Sequence, residues 1–377
     1  MRWVLLAPLA LLLAACGDDD GGPQEPVDEG SPPEAGCTQG ALESGALSLI
    51  CFPDSWNGTL VIYAHGYVEP SAPVALPDDE VGGVSISDAV TGFGYAYATT
   101  SYRDNGLVVL PAIEDVIQLV EAVRARVKPD PTRTLLVGFS EGGLVAALTL
   151  ERHPDMIDGA LAACGPIGDF TRQIDYFGDA RVLFDYYFPG VLPGTAVDIP
   201  PQLRSGWTST YEPAVIEALT GDPARAAELA AVAGIPVPDA VAAAAATIAQ
   251  VLWYNVFATD DAQERLGGNP YTNVGRQYSG SSDDAALNAG VDRYEPITLA
   301  RAALGQYDAG GDLPGPVVTL HTTGDPEVPF FHEALYRAKV EAKGRLDRLE
   351  QRSVDRLGHC TFTAPELFDA FLALAGP

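Results

Sequence analysis

Thr134-Leu135-Leu136-Val137-Gly138-Phe139-Ser140-Glu141-Gly142-Gly143-Leu144-Val145-Ala146-Ala147-Leu148 is the stretch on which the reading of this chain turns. Residues 134–137 form a short apolar run, suited to a strand buried on both faces. From about Gly142 to His153 the pattern is helical. Between the two lies G-x-S-x-G. A strand that passes into a helix this quickly must bend sharply, and side chains flanking the bend would collide. Small residues two before and two after the serine remove the collision. Ser140 is then held out above the sheet, at the positive end of a helix. A G-x-S-x-G alone is a weak signal in a chain with 39 glycines; its strand–turn–helix setting gives it meaning. The competing reading is a glycine-rich helix entry with Ser140 as its cap.

Outward from this turn, residues 46–52, 59–64 and 95–100 read as strands, with Asn57-Gly58 as a turn. Residues 112–127 place apolar side chains at three-and-four spacing, an amphipathic helix stopped by Pro129 and Pro131. Residues 157–164 form a further strand. Strands alternating with helices predict a mostly parallel sheet with helices on both faces, an α/β architecture. From Gly165 to about Asp312 the alternation stops. Ala-rich helices (223–233 and 239–252) and aromatic clusters take its place. The strand–helix theme returns at 316–321, 330–343, 349–354 and 364–375. The chain therefore reads as one α/β core, residues 37–165 and 313–377, with a large helical cap, 166–312, inserted before the penultimate strand.

A serine hydroxyl is a poor nucleophile until a base takes its proton. Five histidines are available. His153 ends the helix after Ser140 and suits a C-terminal cap. His332 falls on a helix face and suits a solvated role. His321, at a strand end, suits the core or a supporting position, and His65 suits structural hydrogen bonding. His359 follows the last strand, giving the chain order Ser…Asp…His. The orienting acid belongs on the loop after the preceding strand, which selects Asp325 over its rivals Glu327 and Asp355. His65-Gly66-Tyr67 follows the strand 59–64. The backbone N–H groups of Tyr67 and Glu141 are the expected pair of oxyanion donors.

The N-terminus carries a separate message. Arg2 precedes an apolar run, 4–15, too short for the ~20 residues of a membrane-spanning helix. It fits the apolar region of a secretory signal. Residues 17–36, almost all Asp, Gly, Pro and Glu, read as a disordered tether. The formal net charge is −29, from 51 acidic and 22 basic side chains, with no Lys/Arg cluster. Such a field repels phosphate backbones and argues against a nucleic-acid partner. No cofactor or metal signature is present; the pair Asp283-Asp284 is too sparse for a calcium loop. Export would permit disulfides. Beyond Cys16, the cysteines 37, 51, 164 and 360 allow three pairings. Cys37 and Cys51 flank a short stretch with turn glycines, and Cys164 and Cys360 then pair by elimination.

Two resemblances follow. Leu13-Ala14-Ala15-Cys16 resembles the lipobox of a bacterial lipoprotein signal. This implies cleavage of residues 1–15, lipidation at Cys16 and anchoring in the cell envelope, with the tether starting at residue 16. The combination of His65-Gly66, Gly138-Phe139-Ser140-Glu141-Gly142, Asp325 and His359 resembles the α/β-hydrolase superfamily. Its secreted carboxylesterase, lipase and polyester-hydrolase branches are the ones it looks like. It covers roughly residues 37–165 and 313–377, and leaves the insertion without a motif. His359-Cys360 is also similar to the tannase and feruloyl-esterase group, where a cysteine after the histidine bonds one just before the serine. Here Phe139 stands before the serine, which leaves Cys164 as the partner of Cys360.

The resemblance implies a carboxylic ester hydrolase with Ser140 as nucleophile, His359 as base and Asp325 as orienting acid. It needs no cofactor and takes a neutral ester that is lipid-like, aromatic or polymeric. Phe184, Tyr186, Tyr187, Phe188, Trp207, Trp253, Tyr254 and Phe257 make the cap aromatic, with more than half of them expected in its own core. A serine peptidase or aminopeptidase on the same machinery is the alternative. A non-catalytic surface-binding lipoprotein is a more distant one.

Overall fold

Runs of Val, Leu, Ile and Ala dictate the centre of the molecule. In the computed structural model, which describes residues 33–376, these runs become the inner strands of one sheet. The strands are β1 (Gly36–Ala41), β2 (Leu47–Phe52), β3 (Thr59–Ala64), β4 (Ala96–Thr100), β5 (Arg133–Phe139), β6 (Gly159–Ala163), β7 (Val317–Gly324) and β8 (Leu349–Leu357). Their spatial order is β1-β2-β4-β3-β5-β6-β7-β8. The pairs β1–β2 and β2–β4 are antiparallel and the remaining neighbours are parallel. Every residue of β4 and β6 is buried, as parallel strands covered on both faces require. The two edges are polar. β8 reads Leu-Glu-Gln-Arg-Ser-Val-Asp-Arg-Leu and alternates in exposure, and its charges deter pairing with another chain. β1 is almost wholly exposed. It is tied to its neighbour by the Cys37–Cys51 cystine, which joins residues directly opposite in register.

Helices α1 (Ile86–Gly92), α2 (Val109–Arg124) and α3 (Glu141–Arg152) belong to the core, and the helix Ala364–Ala375 packs against β6 and β7. The sequence predicts α2 from residue 112, but it starts at Val109. Pro111 then sits in the first turn, where its missing N–H costs no hydrogen bond. β1 is not announced by the sequence pattern, and its start at Gly36 overlaps the last residue of the expected tether. Cys16, the apolar run before it and most of that tether lie outside the described residues.

Between β6 and β7 the described residues are helical or irregular. The segment opens with α4 (Phe170–Tyr187) and continues through Glu212–Gly221, Pro223–Ala233, Val241–Tyr254, Asp260–Leu266 and further short helices. This strand order, with helices on both faces and a helical insertion ahead of the penultimate strand, is the α/β-hydrolase fold.

Candidate active site

Ser140 stands between β5 and α3 with φ 56° and ψ −124°, a region that side-chain-bearing residues avoid unless their surroundings enforce it. The surroundings here are backbone. A Cβ on Gly138 would lie 1.9 Å from the carbonyl oxygen of Gly142, and one on Gly142 would lie 2.1 Å from that of Ala64. The Ser140 N–H is held by the Ala163 carbonyl at 2.9 Å. Tyr102, Cys164 and Cys360 are the other non-glycine residues with positive φ among the described residues, and the two cysteines belong to the same neighbourhood.

The loops after β7 and β8 bring the partners in. His359 Nε2 is 2.8 Å from Ser140 Oγ, and His359 Nδ1 is 2.7 Å from Asp325 Oδ2. Asp325 Oδ1 accepts the N–H groups of Glu327 and Val328, each at 2.9 Å. Burial would push this carboxyl up, but the adjacent His359 and His321 outweigh it and hold it at about 2. Burial also opposes charge on His359, and the attraction of Asp325 outweighs that too, raising its pKa above the ordinary 6.5. The rivals separate cleanly. Glu327 Oε2 is 4.0 Å from His359 Nε2 and accepts from the Tyr254 hydroxyl at 2.6 Å. Asp355 is exposed and accepts from Thr323.

Behind Asp325 lies a buried histidine that sequence reasoning places only as core or support. His321 Nδ1 faces Glu333 Oε1 at 3.2 Å, and its Nε2 faces the Val328 carbonyl at 2.9 Å and Asp325 Oδ2 at 3.3 Å. All three are acceptors only, so both ring nitrogens must carry protons. Burial works against this charge, but the hydrogen bonds from His321 to Asp325 and Glu333 prevail and raise its pKa to about 9. Glu333 in turn accepts from Thr319 and Gln351. His321→Leu would leave two buried carboxylates without their cation. It is expected to destabilise the fold by about 3–5 kcal/mol, read from the midpoint of urea unfolding at pH 7. An unchanged midpoint would show that the imidazolium is not what holds this network.

The other histidines divide. His153 caps α3 as expected. His65 is buried, stacks on Tyr102 at 4.0 Å between ring centroids, and pairs Nδ1 with the Gly66 carbonyl, a structural role. His332 is not on a solvated face. It is fully buried, with Nδ1 accepting the N–H groups of Gly168 and Asp169 and Nε2 donating to Gln173. The start of α4 lies across that face, a contact between distant segments that helical periodicity cannot reveal. Burial pushes this imidazole well below its usual range.

The His65-Gly66-Tyr67 turn leaves β3 directly beside the elbow. A Cβ on Gly66 would lie 3.1 Å from Ser140 Cβ. The Glu141 N–H opens α3, where no intrahelical acceptor exists. Cys164 and Cys360 are joined, with Cα atoms 5.5 Å apart, so the histidine loop is tied to the end of β6. The described residues hold one grouping of three metal-ligand side chains, Cys164, His359 and Cys360, and its two sulfurs are committed to this cystine.

Over Ser140 lies a cavity of ≈ 50 Å³, walled by Tyr67, Leu107, Glu141, Phe170, Ile174, Phe177, Tyr254, Val328 and their neighbours. A volume of this kind has room for a few waters or a short acyl group. Phe177 stacks on Tyr254 at 5.0 Å, and Tyr67 meets Trp253 edge-on and Tyr254 at a tilt. Of the aromatics singled out in the sequence, Phe184, Tyr187, Phe188 and Trp207 are buried in the insertion's own core. Tyr254 walls the cavity; so do Phe170 and Phe177, on the unforeseen α4, which sequence reasoning misses. Asp283 caps the helix Asp284–Gly290 and Asp284 accepts from Ser281, so this pair is a turn element.

The sequence matches no protein-family model and no curated protein. Solved structures with a similar fold include an esterase of Pyrococcus furiosus (13% identical, covering 91% of this chain and 94% of that one, TM-score 0.45). Feruloyl esterase B from Aspergillus oryzae is 15% identical, with 87% and 73% coverage and TM-score 0.48. The Pyrococcus horikoshii acylaminoacyl peptidase is 11% identical, with TM-score 0.45; it matches over 92% of this chain, which spans only 43% of the peptidase. Likeness at such identities concerns the fold alone.

Proposed function

We propose that this protein hydrolyses carboxylic esters through an acyl-enzyme on Ser140. The observation that carries the reading is the unbroken relay Ser140–His359–Asp325, with both contacts at hydrogen-bond distance. His359 Nε2 takes the hydroxyl proton as Oγ attacks the ester carbonyl. Asp325 fixes the imidazole with its proton on Nδ1 and stabilises the imidazolium that forms. The oxyanion develops toward the N–H groups of Tyr67 and Glu141, donors that need no reorganisation at the moment of reaction. The imidazolium then protonates the departing alkoxide, and water, activated by the same base, releases the acid.

The small apolar cavity beside Ser140 supports an ester with a short acyl group on that side. The two cystines support an oxidising compartment. We infer that the chain is exported, with Cys16 as the candidate lipid anchor. A fluorophosphonate probe is expected to label Ser140, and graded p-nitrophenyl esters are expected to be turned over well ahead of aminoacyl-anilides. Ser140→Ala is expected to abolish both labelling and turnover. Comparable ester turnover by that variant would remove the nucleophile assignment, while faster anilide turnover by the wild type would favour a peptidase.

A further inference from the structure

Two residues in the wall of the Ser140 cavity each carry a buried polar atom with no partner among the described residues. Glu141 is only 6% exposed; its Oε1 accepts the Val108 N–H at 3.2 Å, and its Oε2 bonds to nothing among the described residues. The Tyr67 hydroxyl is likewise buried and unpartnered. Both residues wall the same ≈ 50 Å³ cavity, beside the nucleophile. The other polar side chains of that wall are already committed: Gln173 to His332 and the Glu327 carbonyl, Tyr254 to the Glu327 carboxylate and Ser140 to His359. An unpaired buried polar group is costly, because it has given up water without gaining a partner. Two of them on residues that wall one small cavity form a place for a ligand to complete.

The protonation of Glu141 decides what that ligand offers. Burial pushes its carboxyl up to about 8, against the pull of the Val108 N–H. The groups that face it are Asp261 and Arg265 from the helix Asp260–Leu266, Tyr102 after β4, Tyr307 before β7, and Tyr67. Asp261 is already engaged by Arg265 at 2.9 Å and the Leu107 N–H at 2.6 Å, so no spare cation is left for Glu141. At neutral pH Glu141 therefore keeps its proton. Since Oε1 is taken by an N–H donor, the proton belongs on Oε2. Oε2 and the Tyr67 hydroxyl are then both donors, and the partner that each lacks is an oxygen acceptor.

We propose that Glu141 and Tyr67 form an oxygen-binding subsite in the acyl pocket, selecting esters whose acyl chain carries an ether, carbonyl or hydroxyl oxygen over their hydrocarbon isosteres. This rests on the ester-hydrolase reading above. An ionised Glu141 would oppose the lone pairs of such an oxygen, so the preference holds at lower pH and is lost as pH rises through about 8.

The test compares p-nitrophenyl 3-methoxypropanoate with p-nitrophenyl pentanoate, in which a methylene replaces the oxygen. Each kcat/KM is divided by the hydroxide-catalysed rate constant of the same ester. The oxygenated ester is expected to be favoured roughly tenfold at pH 6.5 and much less at pH 9. Glu141→Gln, whose amide still donates, keeps the preference and loses its pH dependence; Glu141→Leu and Tyr67→Phe lose the preference. Equal normalised rates in the wild type would mean that the pair serves only to hold water, and would overturn the proposal. Preference for the 3-aminopropanoate ester, growing with pH, would overturn it too and make Glu141 a counter-ion. Failure of the parent reading looks different: pentanoate itself is not hydrolysed, or Ser140→Ala hydrolyses it.

Discussion

Asp325→Asn is expected to lower kcat on a short p-nitrophenyl ester by on the order of 10⁴-fold while leaving the protein folded. The site dictates which way the new amide points. Asp325 Oδ1 accepts two backbone N–H groups, from Glu327 and Val328, at 2.9 Å. An NH₂ placed there would face two donors, so the carbonyl oxygen of the amide takes that position. Its NH₂ is left facing His359 Nδ1, where Oδ2 now sits at 2.7 Å, and meets there one donor rather than two, the His321 Nε2–H at 3.3 Å, which keeps the Val328 carbonyl as its acceptor. The imidazole must then accept at Nδ1 and carry its proton on Nε2, the atom 2.8 Å from Ser140 Oγ. A protonated Nε2 cannot take the serine proton. The pH profile supplies a second readout. The base works only when neutral, so wild-type kcat/KM is lost as pH falls through the His359 pKa, which Asp325 holds above 6.5. Without the carboxylate, burial is left to push the imidazole down, and the residual activity of the variant should show its acid limb at lower pH. A kcat within about tenfold of wild type would show that Asp325 does not set the tautomer.

The parts of this site that can be read from the sequence share one property: each is announced by its nearest neighbours in the chain. Gly138 and Gly142 flank Ser140, β5 precedes it, and Asp325 and His359 each follow a strand. The parts that cannot be read depend on contacts between distant segments. Helix α4 is invisible in the sequence because it is buried on several faces, with charged residues among its apolar ones. Asp175 and Asp179 pair with Arg276 and Arg301, and Arg181 with Asp185, so charges interrupt the periodicity. Gly178 interrupts it as well, because the Tyr271 ring lies where a Cβ would go, 2.3 Å away. Phe170, Ile174 and Phe177 escape recognition as cavity walls for the same reason. His332 reads as solvated because nothing local reveals that α4 covers it. The imidazolium of His321 is equally hidden, since it requires Glu333 from the next helix to meet Asp325 from the next loop. β1 is short and polar, and its place is set by a cystine rather than by hydrophobic patterning.

Gly138→Ala carries the largest expected effect on the fold itself, a loss of more than about 4 kcal/mol. The added methyl would lie 1.9 Å from the Gly142 carbonyl oxygen, 2.3 Å from its carbon and 2.9 Å from the Gly143 nitrogen. All three are backbone atoms at the entry of α3, so no side-chain rotation relieves the overlap. Relief requires α3 to move away from β5, and the pair forms the centre of the core. Gly142→Ala meets the same difficulty on the other side, against the Ala64 and His65 carbonyls at 2.1 and 2.6 Å. Gly92→Ala is the control: it is helical, with nothing within 4 Å of the added atom, and should change stability by no more than about 1 kcal/mol. Urea unfolding midpoints compare the three. Any Gly138→Ala protein that does fold should also lose ester turnover, because shifting α3 displaces Ser140 from His359, and a misplacement of about 1 Å is enough to cost on the order of 10²-fold. A Gly138→Ala protein with a wild-type midpoint and wild-type turnover would mean that the turn at Ser140 is looser than this backbone allows. The strained φ of 56° would then not be what presents the hydroxyl to its base.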